Sequence, residues 1–266
     1  LLTFIQLTDP HLVAPGSLLY GLDPLQRLRS AIDDIVVRHG PHSACPADFA
    51  VLTGDLANDG EPAAYQALAV MLARLPFVAH LMVGNHDDRD ALRAAFPATG
   101  TDPQGFIQQA FDTDAGRFIL LDTLVAGAAH GELCAGRLAW LDGQLRGAGG
   151  QVFVFLHHPP LAIGLAPIDG LRLRQSRDLL GVLEPHRARV RHIFFGHVHR
   201  PVSGSWHGMP FSTIPALGHQ LALDFSATTT FPGSLEPPGY AVVRITDDSV
   251  AVHTHAFLDR TATFNL

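Results

Sequence analysis

The chain reads as an α/β protein with a mainly β C-terminal portion, and three observations carry that reading. Short apolar runs alternate with segments of helical spacing along the first three quarters. The runs are continuously apolar rather than alternating, as strands buried on both faces are. After about residue 205, strand-like segments follow one another without helices between them. With 266 residues, 47% of them hydrophobic, the chain can bury a sizeable core, and residues 1–266 are read as a single domain.

Residues 3 to 7 are β-branched and aromatic and form the first predicted strand. A helix starts at Asp23-Pro24, where Asp23 can cap and Pro24 suits the first helical position; Leu25, Leu28, Ile32, Ile35 and Val36 then recur at helical spacing until Gly40. Strands are predicted over Phe49 to Leu52, Phe77 to Val83, Arg117 to Leu121, Val152 to Leu156 and Val190 to Phe195. Helices are predicted over Pro62 to Ala73, after Asp88, over Gly136 to Arg146 and near Ser176 to Leu183. In the C-terminal portion, Phe211 to Ile214, Tyr240 to Thr246 and Ser249 to Phe257 read as strands, the last two joined by a hairpin at Asp247-Asp248. The Pro-containing segment 220–239 reads as a loop, cap or oligomer contact.

Composition narrows the partners. The basic residues are 18 arginines with no lysine, against 25 acids, and the formal net charge is −7. A binder of polymeric nucleic acid carries a basic stripe, which is missing here. Cys45 and Cys134 belong to no CxxC pair and read as isolated thiols in a reducing compartment. No apolar stretch approaches the ~20 residues of a membrane span, so the protein is expected in the cytoplasm.

Five apolar runs each end in metal-ligand residues: Asp9 and His11, Gly54-Asp55, Gly84-Asn85-His86, His157-His158, and His197 with His199. In open α/β sheets, ligands gather beyond the carboxyl ends of the strands. An oxygen- and imidazole-rich set there suits a pair of divalent cations. Asp9 and His11 are two apart, as are His197 and His199, so in a continuing strand each pair shares a face. Gly54, Gly84 and Gly196 each precede a candidate ligand, where the absence of a side chain lets backbone approach an ion. Asp55 offers two oxygens and can bridge two cations.

The order DxH, GDxxxxG, GNHD, HHPP and GHxH over residues 9 to 199 resembles the calcineurin-like metallophosphoesterase superfamily. With Leu19-Tyr20-Gly21 and the Asn-His-Asp-Asp sequence, it is similar to the class III cyclic-nucleotide phosphodiesterases and glycerophosphodiesterases of that superfamily. The resemblance implies a four-layer α/β/β/α sandwich of two mixed sheets flanked by helices. It implies one metal on Asp9, His11, Asp55 and His199, and a second on Asp55, Asn85, His157 and His197. Iron, manganese, zinc and cobalt all accept such donors. It also implies a homodimer or higher homo-oligomer.

The expected reaction is hydrolysis of a small phosphodiester, a cyclic nucleotide or a glycerophosphodiester. Its nucleophile would be a hydroxide between the two metals, from water acidified toward a pKa of ~7. Asp55, Asn85 and His86 are the expected catalytic residues, and His86, His219 and Tyr20 the expected substrate contacts. A phosphomonoesterase or dinucleotide polyphosphatase on the same site, and a non-catalytic metal-binding scaffold, are the alternatives. A redox di-iron bundle is disfavoured because Glu-x-x-His motifs are missing. His158 is expected to face away from the metals and to pack or hydrogen-bond. His39, His42, His80, His130, His186, His192, His207, His253 and His255 are assigned to surface or capping roles. Asp87 and Asp88 are assigned to structure, and Arg89 and Arg93 to a solvated helix face.

Overall fold

The computed structural model describes residues 1–262 and 264. Its elements, in chain order, are β1 (Leu2–Leu7), α1 (Pro24–His39), β2 (Phe49–Leu52), α2 (Pro62–Leu72), β3 (Val78–Leu81), α3 (Arg89–Ala95), β4 (Gln109–Thr113), β5 (Gly116–Leu120), α4 (Ala135–Gly147), β6 (Val152–Leu156), α5 (Ala166–Asp169) and α6 (Ser176–Leu183). After a 3-10 turn over Glu184–Arg189 come β7 (Val190–Phe195), β8 (Val202–Trp206), β9 (Met209–Thr213), β10 (Gln220–Leu221), β11 (Gly233–Ser234), β12 (Tyr240–Ile245) and β13 (Val250–His255).

Two mixed sheets form, one ordered β13-β12-β1-β2-β3 and the other β4-β5-β6-β7-β9-β8. Neighbours β1, β2 and β3 run parallel, as do β5, β6, β7 and β9, so the carboxyl ends of the central strands share one edge of each sheet. Alternate residues of each strand then face different layers. Ile5, Leu7, Ala50 and Leu52 pack outward on Leu28, Ile32, Tyr65 and Leu68 of α1 and α2. Val152, Val154 and Ile193 pack outward on Leu141, Leu145, Leu179 and Leu183 of α4 and α6. Between the sheets lie Phe4, Val51, Phe118, Phe153, Phe155, Phe194 and Val243. Phe4 stacks on Phe49 and meets Phe118, Phe155 and Phe194 edge-on, an arrangement worth more than its buried area alone. Helices, sheet, sheet, helices is the expected four-layer order, and burial of both strand faces explains the continuous apolar runs.

Local signals account for the helix starts. Asp23 accepts from the Gln26 backbone N–H at 2.9 Å and Pro24 occupies the first turn of α1. Asp88 likewise caps α3 through the Ala91 N–H at 2.8 Å. The strands β4 and β8 are absent from the sequence reading, because Gln109–Thr113 and Val202–Trp206 are half-polar edge strands that lack an apolar run. Segment 220–239 contains the two-residue ladder of β10 with β11, pairing Gln220 with Ser234 and Leu221 with Gly233. Among the described residues, no helix is long and apolar enough to cross a membrane.

Candidate metal centre

Beyond the ends of β1, β2, β3, β6 and β7, five loops converge. Their path corrects the expectation that Asp9 with His11, and His197 with His199, share a strand face. The strands have already ended, and Asp9, His11, Asp55, His197 and His199 all adopt left-handed backbone, with φ of 49°, 44°, 50°, 66° and 52°. Such conformations cost a non-glycine residue roughly 1–3 kcal/mol each and persist where the surroundings over-determine them. Here the loops are bonded to one another: the Asp9 N–H to the Gly54 carbonyl at 3.1 Å, the His11 N–H to the Asp55 carbonyl at 3.0 Å, and the Gly196 N–H to the His157 carbonyl at 3.1 Å. The glycines answer to crowding. A Cβ on Gly84 would stand 2.2 Å from Asp55 Oδ1, and one on Gly54 would stand 2.5 Å from His157 Nδ1.

The side chains meet in two adjoining groups. Asp9, His11, Asp55 and His199 bring one donor atom each within 4.8 Å of the others. His199 Nε2 lies 3.3 Å from Asp9 Oδ1, and His11 Nε2 lies 3.1 Å from His199 Nε2. Asp55 Oδ2 joins the groups, 3.5 Å from His11 Nε2 and 3.3 Å from His157 Nε2. In the second group are His157, His158 and His197.

Each of three imidazoles is pinned from behind, so that Nε2 faces the centre. The Nδ1 atoms of His157, His199 and His11 meet the Thr53 carbonyl at 2.8 Å, the His219 carbonyl at 2.8 Å and Asn58 Oδ1 at 3.2 Å. Partners of this kind fix the tautomer and ring orientation of metal-binding histidines. Asp9 accepts from Thr8 Oγ1 and from the His197 N–H at 3.1 Å, and Asp55 Oδ1 accepts from the His86 N–H at 2.9 Å.

The donor set fits a pair of cations on two grounds. First, Asn85 Oδ1 and the Nε2 atoms of His158 and His197 are buried without a hydrogen-bond partner, a costly condition unless something electrophilic sits among them. Second, the charges are set for ligation. Burial pushes His11 and His197 down to about 3, so both are neutral with a lone pair to give. Burial opposes the charged form of Asp9, yet the nearby His199 holds it at about 2. His157 is pushed down by burial but held at about 9 by the Asp55 carboxylate. A cation at this position would take the place of the proton those two groups share.

His158 departs from expectation. Its ring does not turn away: it stands 4.7 Å from the His197 ring and 4.8 Å from that of His157, because β6 ends at Leu156 and the alternation of a strand no longer applies. It does make the expected hydrogen bond, Nδ1 to Thr123 Oγ1 at 2.8 Å.

Above the two groups opens a cavity of about 580 Å³, within the range of small-molecule sites. His86, His219 and Tyr20 all line it. The His86 ring lies 4.7 Å from that of His11, with Nδ1 at 2.6 Å from the Asn58 carbonyl. Tyr20 meets His219 edge-on at 4.7 Å. Asn58, absent from the sequence reading, touches both His11 and His86; its place inside the GDxxxxG loop was the available signal.

Asp87 and Asp88 are structural. Asp87 accepts from the N–H groups of Leu56, Ala57 and Gly84 and from the Tyr65 hydroxyl, tying the Asp55 loop to the Asn85 loop. Arg89 does not lie on a solvated face: its guanidinium grips buried Asp122 with two bonds of 2.6 and 2.7 Å. His192 is buried against Phe194, and His80 is half-buried and stacks on Phe111. His39 is also buried and caps no helix end: its Nδ1 meets the carbonyl of Cys45 in the loop after α1.

Layered sheets with an Asp and His cluster at their carboxyl edge define a metallophosphoesterase. The chain belongs to the calcineurin-like phosphoesterase family, whose model matches residues 2–201. It is 41% identical over 96% of its length, and 92% of the relative's, to a protein of Rhodopseudomonas palustris named "Probable cyclic nucleotide phosphodiesterase". It is 33% identical to the glycerophosphodiester phosphodiesterase GpdQ of Enterobacter lignolyticus, over 79% of this chain and 76% of that one. To the 3',5'-cyclic adenosine monophosphate phosphodiesterase CpdA of Escherichia coli K12 the identity is 31%, over 86% and 82%. A dimetal phosphatase from Danio rerio shares the fold with a TM-score of 0.70 at 18% identity, over 97% of both chains.

Proposed function

We propose that this protein hydrolyses small phosphodiesters, cyclic nucleotides or glycerophosphodiesters, at two divalent cations. The carrying observation is the shared carboxylate: Asp55 Oδ2 lies between His11 Nε2 and His157 Nε2 beneath a ligand-sized cavity. Asp9, His11, Asp55 and His199 would hold one cation, and Asp55, Asn85, His157 and His197 the other. When bound, the pair supplies Lewis acidity at the phosphoryl oxygens and acidifies water.

The chain's own residues set the charge of the substrate. Only Asp9 and Asp55 offset the cations, which leaves about +2 at the floor, and none of the residues lining the cavity is an arginine. A singly charged diester is drawn to that balance; a polyphosphate would find no arginine for its further charges. His86 keeps Nδ1 on the Asn58 carbonyl, so its free nitrogen is Nε2, and when protonated it donates there to a phosphoryl oxygen or to the leaving alkoxide.

We further place the protein in the cytoplasm as a homo-oligomer. The free thiols of Cys45 and Cys134 suit a reducing compartment, and exposed Leu223 and Phe225 offer apolar contact area. The net charge of −7 argues against polymeric nucleic acid as substrate. Iron, manganese, zinc or cobalt would serve the nitrogen and oxygen donors.

The deciding experiment is hydrolysis of bis(p-nitrophenyl) phosphate against p-nitrophenyl phosphate after metal reconstitution, followed by cyclic AMP and a glycerophosphodiester. The diester should be the faster of the first two. Preference for the monoester would overturn the proposal.

A further inference from the structure

The cavity has a polar floor and an apolar outer wall, and the wall has no role in binding cations. Ile168 comes from α5 and Leu171 from the turn after it; Leu221, Phe231 and Leu235 come from the β10–β11 hairpin and its flanks. Leu221 and Ile168 are anchored, with Leu165 and Val198, in a small apolar cluster of their own. Phe231 and Leu235 are not: they are 52% and 72% exposed, large apolar side chains at the mouth of a cavity.

The longest polar side chains of that end are engaged within the fold. Gln220 spends its amide on both backbone groups of Ala216, accepting at 3.1 Å and donating at 2.8 Å. Ser234 Oγ accepts from the Glu236 N–H at 3.1 Å. Arg200, the residue after His199, donates to the Leu221 carbonyl and pairs with Glu236 at 2.8 Å, which holds the hairpin against the ligand loop and leaves the guanidinium outside the cavity. What the hairpin itself turns toward the cavity is therefore mainly apolar, Leu221, Phe231 and Leu235.

Resting on the diesterase reading above, we infer that Phe231 and Leu235 are specificity-determining residues that select diesters carrying an aromatic or otherwise apolar group over those of polyhydroxylated alcohols. The floor holds the phosphate, and the hairpin takes up the apolar group from water. Selection of this kind appears in KM and in the ratio between substrates, because the contact is made equally before and during reaction.

The test compares phenyl p-nitrophenyl phosphate with methyl p-nitrophenyl phosphate, which share the reacting bond and differ only in the second ester. For the Phe231→Ala/Leu235→Ala protein, the phenyl-to-methyl ratio of kcat/KM should fall about tenfold relative to wild type, through KM, as loss of a large apolar contact predicts. Phe231→Leu should retain most of the ratio, and bound metal should be unchanged in both variants. A ratio that stays constant in the double variant overturns the inference while leaving the diesterase reading intact. Failure of the metal-loaded wild type to hydrolyse either diester defeats both.

Discussion

The floor and the outer wall of the cavity are built by opposite means. On the floor, every proposed ligand side chain follows a strand of a parallel run, and three imidazoles are fixed by a second hydrogen bond. The wall hangs on a two-residue ladder and shows bare apolar side chains to water. Atoms that must meet two cations within fractions of an ångström need a rigid setting. A surface that only has to be apolar does not, and it can sit on a segment whose changes leave the core alone. The fold therefore separates what the site does from what it does it to.

The sharpest way to break this division is Asp55→Asn, which removes the charge common to both cation positions. Activity on bis(p-nitrophenyl) phosphate should drop by more than about a thousandfold, with elemental analysis showing loss of metal and circular dichroism an intact fold. Full metal content in that variant would detach Asp55 from the centre. His86→Ala comes next. It keeps the backbone N–H that bonds Asp55, so metal should be retained while kcat falls by about a hundredfold or more. Equal loss of metal would make His86 a support instead of a proton donor.

A smaller effect probes the scaffold away from the cavity. His192 lies between sheet partners, 2.9 Å from Ser212 Oγ, and burial pushes it down to about 4. The unfolded chain takes up that proton near pH 6.5, the folded chain only near 4. Stability should therefore be complete above pH 6.5 and decline as the pH falls through that window, by on the order of 3 kcal/mol. His192→Gln should flatten that part of a plot of urea midpoint against pH, and an unaltered slope would refute the assignment. The smallest change expected is for Leu235→Ser: its Tm should stay within about 2 °C of wild type, as for other exposed positions. A large drop would mean that the wall shares the stability of the floor.

How far the sequence carries the structure also differs between these two ends. Chain order alone places Asp9, Asp55, Asn85, His157, His197 and His199 together, because each follows an apolar run long enough to be a strand and parallel strands share an edge. The local path was not legible in the same way. Period-two spacing of Asp9 with His11 suggests a strand, yet the competing demand was for left-handed turns that aim both side chains at one point. His158 was misplaced for the same reason: alternation ends where β6 ends. Arg89 had the spacing of a solvated face, and only tertiary packing supplies its partner, Asp122, 33 residues away. The β10–β11 ladder is too short to leave any periodic trace.

Those five left-handed residues have a practical corollary for protein engineers. Copying the donor side chains onto the strands of another sandwich would not reproduce the centre, since ordinary extended backbone would point them elsewhere. Any transplant has to carry the kinked peptide segments and their crossbraces along with the side chains, so the smallest portable unit is a set of loops.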